Sequence, residues 1–319
     1  MTGFAYERPT SLEDALTALG ADGAVVVGGG TDLLVWIDEG LAAPTLVVDV
    51  RALPGAGAIE HRADGSMRIG SGSRIADIAA HEGVRSSFSA LADSCASVGT
   101  PALRNMGTLG GNLAQRPRCW YLRRNVSCFK NGGSGCPAVS GEHQYHGIVA
   151  DGTCRAVHPS DPAVALAALA ALVEIASADG TRRMVAVESF YEGAAADPAG
   201  EARLAPGEII TAVELPAAAA GGAQHWEKII QRGAWDFALV SCAAVRRTDG
   251  QVRMVLGGVG LAPMRIAESV EEDVGAGGLD DDSIEALAER AMYDTDPLPG
   301  TAYKVTIAQA ALRHAMRAV

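Results

Sequence analysis

Six cysteines occur in the 319 residues, at positions 95, 119, 128, 136, 154 and 242. Four of them, Cys119, Cys128, Cys136 and Cys154, fall within 36 residues, with eight, seven and seventeen others between them, in a stretch that has little periodic apolar pattern. Four thiolates on a segment free to fold around a centre suit a cysteine-ligated iron–sulfur cluster. Zinc takes the same ligands, but its structural sites usually include two cysteines only two to four residues apart, and no such pair occurs here. Disulfides are the third option, one that belongs mainly to exported, disulfide-rich scaffolds. Arg116, Arg118, Arg123, Arg124 and Lys130 would offset the negative charge of a thiolate-bound cluster, or form a face for a partner. Cys95 and Cys242 stand in apolar helix-like and strand-like runs, where a buried, inert thiol is the ordinary outcome.

Two glycine-rich stretches offer a second kind of chemistry. Gly28-Gly29-Gly30-Thr31-Asp32 follows a strand-like run and precedes a short helix-like one. Backbone N–H groups there can approach a phosphate or pyrophosphate closely, because glycine has no Cβ in the way. The spacing is not the dinucleotide fingerprint, since the sixth place from Gly28 is Leu33, and a plain tight turn would use the same glycines. Thr108-Leu109-Gly110-Gly111-Asn112 adds a threonine hydroxyl and an asparagine amide to a second such surface. Two stretches about eighty residues apart favour one long ligand touching both over two unrelated turns. Asp161, in His158-Pro159-Ser160-Asp161-Pro162, reads as a helix N-cap whose carboxylate could also hold a ribityl or ribose hydroxyl. Lys228, Arg232 and Asp236 recur every four residues, yet their apolar neighbours suggest a strand and a turn, which leaves them as surface charges.

The elements that must carry these groups alternate at first. Thr10-Ser11-Leu12-Glu13 is a capping-box pattern opening a helix. Ala24 to Val27 and Thr45 to Val50 read as buried strands on either side of a short helix from Thr31 to Ile37. Then come a strand at Met67 to Ile69 and helices at Ile75 to His81 and Ala90 to Val98, the second stopped by Gly99-Thr100-Pro101. Residues 115–155 read as a long inserted loop. Asp161-Pro162 opens an alanine-rich helix to about Leu172, and strands at Val173 to Ile175, Arg183 to Val187 and Glu208 to Leu215 follow. After a linker-like Ala217 to Gly222, three hairpin-compatible strands (226–231, 238–246, 252–259) and two helices (283–292, 305–318) close the chain. The division is 1–57, 58–218 with its cysteine loop at 115–155, and 223–319, with an α+β fold class.

A composition of 48% hydrophobic and 20% charged residues fits a globular chain with room for two or three cores. The net charge of -12 argues against nucleic acid as a partner, which needs clustered Lys and Arg. No run is apolar enough to insert in a membrane, and the first ten residues lack the apolar core of a signal peptide. The expected location is cytoplasmic, or periplasmic by export with a signal-bearing partner.

Taken in order, Gly28-Gly29-Gly30-Thr31-Asp32-Leu33, Thr108-Leu109-Gly110-Gly111-Asn112, Ser160-Asp161 and Lys228 to Phe237 (KIIQRGAWDF) resemble the FAD-binding medium subunits of the xanthine dehydrogenase and carbon monoxide dehydrogenase group, the molybdenum hydroxylases. The insertion from Gln115-Arg116-Pro117-Arg118-Cys119 through Gly135-Cys136-Pro137 to Cys154 is similar to that of the flavoprotein subunit of bacterial periplasmic-type aromatic-aldehyde oxidoreductases. The resemblance implies a two-subdomain FAD-binding fold of the PCMH/vanillyl-alcohol oxidase type, followed by a small α+β domain. It implies a pyrophosphate at Val27, Gly28, Gly29, Gly30, Thr31, Asp32, Leu33 and Leu34, and further FAD contacts at Thr108, Gly111, Asn112, Asp161, Ile210 and Lys228. It also implies a [4Fe-4S] cluster on Cys119, Cys128, Cys136 and Cys154. The partners implied are a large subunit with a molybdenum cofactor, which performs the hydroxylation, and a small [2Fe-2S] subunit. This chain would then relay electrons to an outside acceptor and hold no catalytic base or nucleophile. A self-sufficient flavin oxidase and a zinc-stapled scaffold are the rival readings; the first asks for a tyrosine-rich substrate site, and only 6 Tyr and 5 Phe are present.

Overall fold

A computed structural model of the chain describes residues 3–149, 153–192, 202 and 204–319. Three sheets follow one another along it. The first is parallel, in the order β1-β3-β2, with β1 at Ala5–Glu7, β2 at Ala24–Val27 and β3 at Leu46–Asp49. Helix α1 (Leu12–Leu19) buries Ala15, Leu16 and Leu19 against it. The cap of α1 sits one residue later than the capping-box reading: Ser11 Oγ accepts from Asp14 N at 3.1 Å, and Thr10 lies outside. Helix α2 (Leu33–Asp38) follows the glycine turn.

The second sheet is antiparallel, with β4 (Ile59–His61), β5 (Met67–Gly70), β6 (Leu172–Ala176), β7 (Arg182–Ala186) and β8 (Ile209–Leu215) in the order β4-β5-β8-β6-β7. Between β5 and β6 the chain forms α3 (Ile75–Ala80), α4 (Glu82–Ser87), α5 (Ser89–Ala96), α6 (Pro101–Met106), α7 (Leu109–Leu113), α8 (Trp120–Arg123) and α9 (Asp161–Ala168). Gly99-Thr100-Pro101 both ends one helix and begins another. Thr100 Oγ1 caps Leu103 N, and Pro101 occupies the first turn, where its missing N–H costs nothing.

The third sheet, β12-β11-β10-β9, consists of β9 (Gln224–Ile229), β10 (Val240–Arg246), β11 (Val252–Gly257) and β12 (Met264–Arg265). Both of its faces are covered. On β10, Val240, Cys242 and Ala244 pack in the core beneath α10 (Glu268–Ala276), α11 (Asp281–Ala291) and α12 (Tyr303–Ala318), while Ala243 and Val245 join the core formed with α5 and α9. The two-residue period of a strand thus divides one segment between two cores. That is why β10, apart from the buried Ser241, is apolar on both faces up to Arg246 and shows no polar alternation. Among the described residues no helix is long and apolar enough to cross a membrane.

Candidate cofactor cleft

A cleft of about 340 Å³ opens where the three sheets' flanking segments converge. That lies within the roughly 300–1,000 Å³ usual for ligand pockets. One wall begins at Thr31 and Asp32, just past the glycine turn. The turn itself lies flat on residues 106–108. A Cβ on Gly29 would stand 1.8 Å from the Met106 carbonyl oxygen, one on Gly28 would stand 2.3 Å from Thr108 Oγ1, and Gly30 has φ +73°. These glycines are therefore required by the contact between the two glycine-rich stretches, which brings both to one side of the cleft. Thr108 caps α7 by accepting from Gly111 N at 3.3 Å, and Thr108, Gly111 and Asn112 all face the cleft.

The opposite wall holds a buried ion pair. Lys228 Nζ lies 2.7 Å from Asp161 Oδ2 and also donates to the Ser97 carbonyl at 3.1 Å. Only 6% of the Lys228 side chain and 7% of the Asp161 side chain are exposed, so the surface-charge reading of Lys228 is corrected. So is the N-cap reading of Asp161. Ser160 is the cap, its Oγ accepting from Ala163 N at 3.1 Å and donating to Asn112 Oδ1 at 2.6 Å. With the capping done by Ser160, the Asp161 carboxylate is free to meet Lys228. Burial pushes Asp161 above the usual carboxylate range, and the Lys228 charge pulls it back.

The mouth is formed by the β9–β10 connection, where Arg232, Trp235, Asp236 and Phe237 line the cleft. Trp235 is 61% exposed and sits at φ +53°, an uncommon backbone for a bulky residue. Both aromatics belong to the Lys228 to Phe237 stretch that carries the family resemblance, although neither is individually expected at the cofactor. Arg118 stacks on Phe237, 5.2 Å from the ring centroid, and pairs with Asp32 Oδ1 at 3.1 Å.

Seven of the fourteen residues expected at a cofactor, Thr31, Asp32, Thr108, Gly111, Asn112, Asp161 and Lys228, line this cleft. Gly28, Gly29 and Gly30 lie behind the wall. Val27 and Leu33 pack in a small apolar cluster with Ile37 and Val47, and Leu34 is half exposed over Gly30. Ile210 is buried in the main core, paired with Ile175 across the sheet.

The cysteine segment folds beside the cleft. Cys119, Cys128, Cys136 and Cys154 all line one small pocket, together with Lys130. No disulfide joins them. Among the described residues, no three His, Cys, Asp or Glu side chains are grouped tightly enough to hold a single metal ion. Burial pushes the Cys154 thiol up to about 11, with the nearby Lys130 charge acting in the opposite direction. Arg116, Arg118 and Arg123 clasp the segment to the first unit. Arg116 and Arg123 lie over Trp36, 4.1 and 4.3 Å from its centroid, and Arg123 also bonds Asp32 Oδ1 at 2.8 Å.

A cleft backed on one side by packed glycine-rich stretches and walled by a buried ion pair marks an α+β ligand-binding protein. The family described as FAD binding domain in molybdopterin dehydrogenase matches residues 2–218, and the chain belongs to this family of flavin-binding subunits of molybdenum hydroxylase oxidoreductases. It is 38% identical over 299 residues, 92% of this chain and 90% of the relative, to the aldehyde oxidoreductase FAD-binding subunit PaoB of Escherichia coli K12. Over 299 residues it is 26% identical to the glyceraldehyde dehydrogenase medium chain of Sulfolobus acidocaldarius, covering 92% of this chain and 89% of that one. Its fold matches that of a carbon monoxide dehydrogenase from Hydrogenophaga pseudoflava, with a TM-score of 0.75 at 22% identity over 99% of this chain and 96% of that one. Quinoline 2-oxidoreductase from Pseudomonas putida 86 gives the same TM-score and coverage at 23% identity.

Proposed function

We propose that this chain is the FAD- and [4Fe-4S]-containing electron-transfer subunit of a molybdenum-dependent aldehyde oxidoreductase or dehydrogenase. Its partners are a large molybdenum-cofactor subunit and a small [2Fe-2S] subunit, and it passes electrons from the latter to an external acceptor. The reading is supported above all by one observation: the cleft and the four-cysteine pocket adjoin, with Arg118 on the cleft wall next in sequence to Cys119 on the pocket wall. The 38% identity to an aldehyde oxidoreductase FAD-binding subunit favours an aldehyde as the complex's substrate.

The chain divides on this reading into FAD-binding subdomains at 1–57 and 58–218 and a C-terminal domain at 223–319. Of the residues expected at the flavin, Thr31, Asp32, Thr108, Gly111, Asn112, Asp161 and Lys228 hold the nucleotide from the cleft wall, and Val27 to Gly30, Leu33, Leu34 and Ile210 support that wall from behind. When bound, FAD supplies the ability to take electrons singly and give them up in pairs. The protein's part is to seat it. Thr31 and Asn112 offer hydrogen-bonding side chains, the Asp161–Lys228 pair presents a charge-balanced wall, and Trp235 and Phe237 cover the mouth.

For the cluster, the donor set fits. Four unpaired thiols face one pocket, and Lys130 stands among them to balance thiolate charge. A single tetrahedral zinc, with Zn–S near 2.3 Å, would draw its thiolates to within about 3.8 Å of one another. A cluster takes one thiolate per iron and spreads the four further apart. The test is an anaerobic absorption spectrum with iron, sulfide and flavin analysis on the co-purified complex, before and after Cys128→Ser. About four irons and one FAD per chain, with the iron lost in the variant, support the reading. Flavin with no iron assignable to this chain removes the cluster, and zinc without flavin removes both.

A further inference from the structure

Cys119 stands apart from the other three cysteines of the pocket by its place next to the cleft. Cys119 also lines a neighbouring cavity of about 420 Å³, and that cavity shares Arg118, Arg232, Asp236 and Phe237 with the flavin cleft. Cys119 is therefore the thiol on the side of the cluster pocket that faces the cleft. Its sulfur has one side-chain partner, His146, whose Nε2 lies 3.3 Å from Sγ.

The ring of His146 is held on every side. It is 3% exposed, with the Trp120 ring 5.3 Å away at 75° and the Tyr121 ring at 6.0 Å. Its backbone N–H donates to the His143 carbonyl at 2.9 Å, and its own carbonyl accepts from the fully buried Lys304 Nζ at 3.1 Å. Lys304 donates equally to the Gly258 carbonyl, at 2.7 Å, which ties residue 146 to the third sheet. The other ring nitrogen, Nδ1, is buried with no protein partner among the described residues. The contact with sulfur is thus the one polar interaction that sets the ring's orientation.

We propose that His146 is a positioning residue that donates its Nε2–H to the Cys119 thiolate and so raises the reduction potential of the cluster at the edge nearest the flavin. A thiolate can only accept, which fixes the proton on Nε2. A hydrogen bond to a ligating sulfur draws electron density from the iron and favours the reduced state. The inference rests on the cluster reading above.

It is tested on the purified complex by potentiometric titration followed by electron paramagnetic resonance, with iron content measured in parallel. His146→Leu keeps the bulk and removes the donor, so its iron content should match wild type while the cluster midpoint falls. His146→Gln restores a donor and should recover part of the loss. A midpoint unchanged in an iron-loaded His146→Leu complex overturns the inference and leaves the cluster reading standing. If His146→Leu loses its iron, the wild-type complex with isotope-labelled histidine decides: pulsed electron paramagnetic resonance of the reduced cluster should show coupling to a histidine nitrogen, and none overturns the inference. Wild-type complex with no cluster on this chain overturns both.

Discussion

Replacing Lys228 with methionine leaves Asp161 buried without its counter-charge. Both side chains are more than nine-tenths buried, so water cannot take over the role of the ammonium. Breaking such a pair costs about 3–5 kcal/mol, because the remaining charge stays in a poorly solvating site. At about 2 °C per kcal/mol for a long chain, that is a fall in Tm of roughly 6–10 °C. The loss should depend on pH with a definite sign. Burial already holds the Asp161 carboxyl above its ordinary value, and removing Lys228 raises it further. A group whose folded pKa is raised binds more protons folded than unfolded, so its stability penalty is absent below the unfolded value, about 3.9, and grows with pH until the folded pKa is passed. The Tm difference between Lys228→Met and wild type should therefore be small near pH 4 and widen toward neutrality. The double variant Asp161→Asn, Lys228→Met has no buried charge and should regain most of the loss at neutral pH. Scanning fluorimetry of the three proteins across pH 4 to 8, with flavin removed from all of them, measures this. A Tm difference independent of pH, or a double variant no more stable than Lys228→Met, would refute the reasoning.

Other outcomes follow from the same geometry. Gly29→Ala sets a Cβ 1.8 Å from the Met106 carbonyl oxygen, so the two glycine-rich stretches must separate; the flavin-to-protein ratio after purification should fall well below that of wild type. Trp36→Leu removes the ring clasped by Arg116 and Arg123 at 4.1 and 4.3 Å, and limited proteolysis should then cut within residues 115–155 faster than in wild type. In metal-free protein under native conditions, iodoacetamide mapped by mass spectrometry should label the half-buried Cys119 and Cys136 before Cys95 and Cys242, which are fully buried and whose thiol pKa values burial pushes far up. Burial pushes the Asp49 carboxyl up, but hydrogen bonds from Arg51 at 2.7 Å and Tyr6 at 2.6 Å outweigh it and bring the pKa down to about 2. A lowered folded pKa gives stability that is present above about 3.9 and is lost as pH falls toward 2, so acid unfolding of Asp49→Asn should show a shallower loss over that window.

Much of the local structure is legible from residue types alone. The strands at 24–27 and 46–49, the helix after Ser160 and the β9–β11 hairpins lie close to where periodicity and punctuation put them. The helices at Glu82–Ser87, Pro101–Met106 and Glu268–Ala276 and the strand at Ala5–Glu7 do not stand out, because short elements with weak apolar period are held by neighbours and not by their own pattern. The capping errors at Ser11 and Ser160 have one cause. Adjacent residues that can both cap differ only in which backbone N–H lies within reach, and that is a matter of a single residue's φ and ψ.

By itself the sequence determined the chemistry available: four thiols on an irregular segment, two glycine stretches able to lie close to another backbone, and an Asp and a Lys at positions 161 and 228. Those depend on residue identity and local spacing, which a chain carries whether folded or not. Only the tertiary structure decided which of them meet. It buried the Asp161–Lys228 pair across 67 residues of sequence, pressed Gly29 onto Met106, turned the arginines near Cys119 into a clasp on Trp36 and Asp32, and set His146 against a single sulfur. The reason is that such contacts are made where separate sheets pack, and the free energy that selects one packing is spread over the two large cores, not written in the few residues that face the cleft.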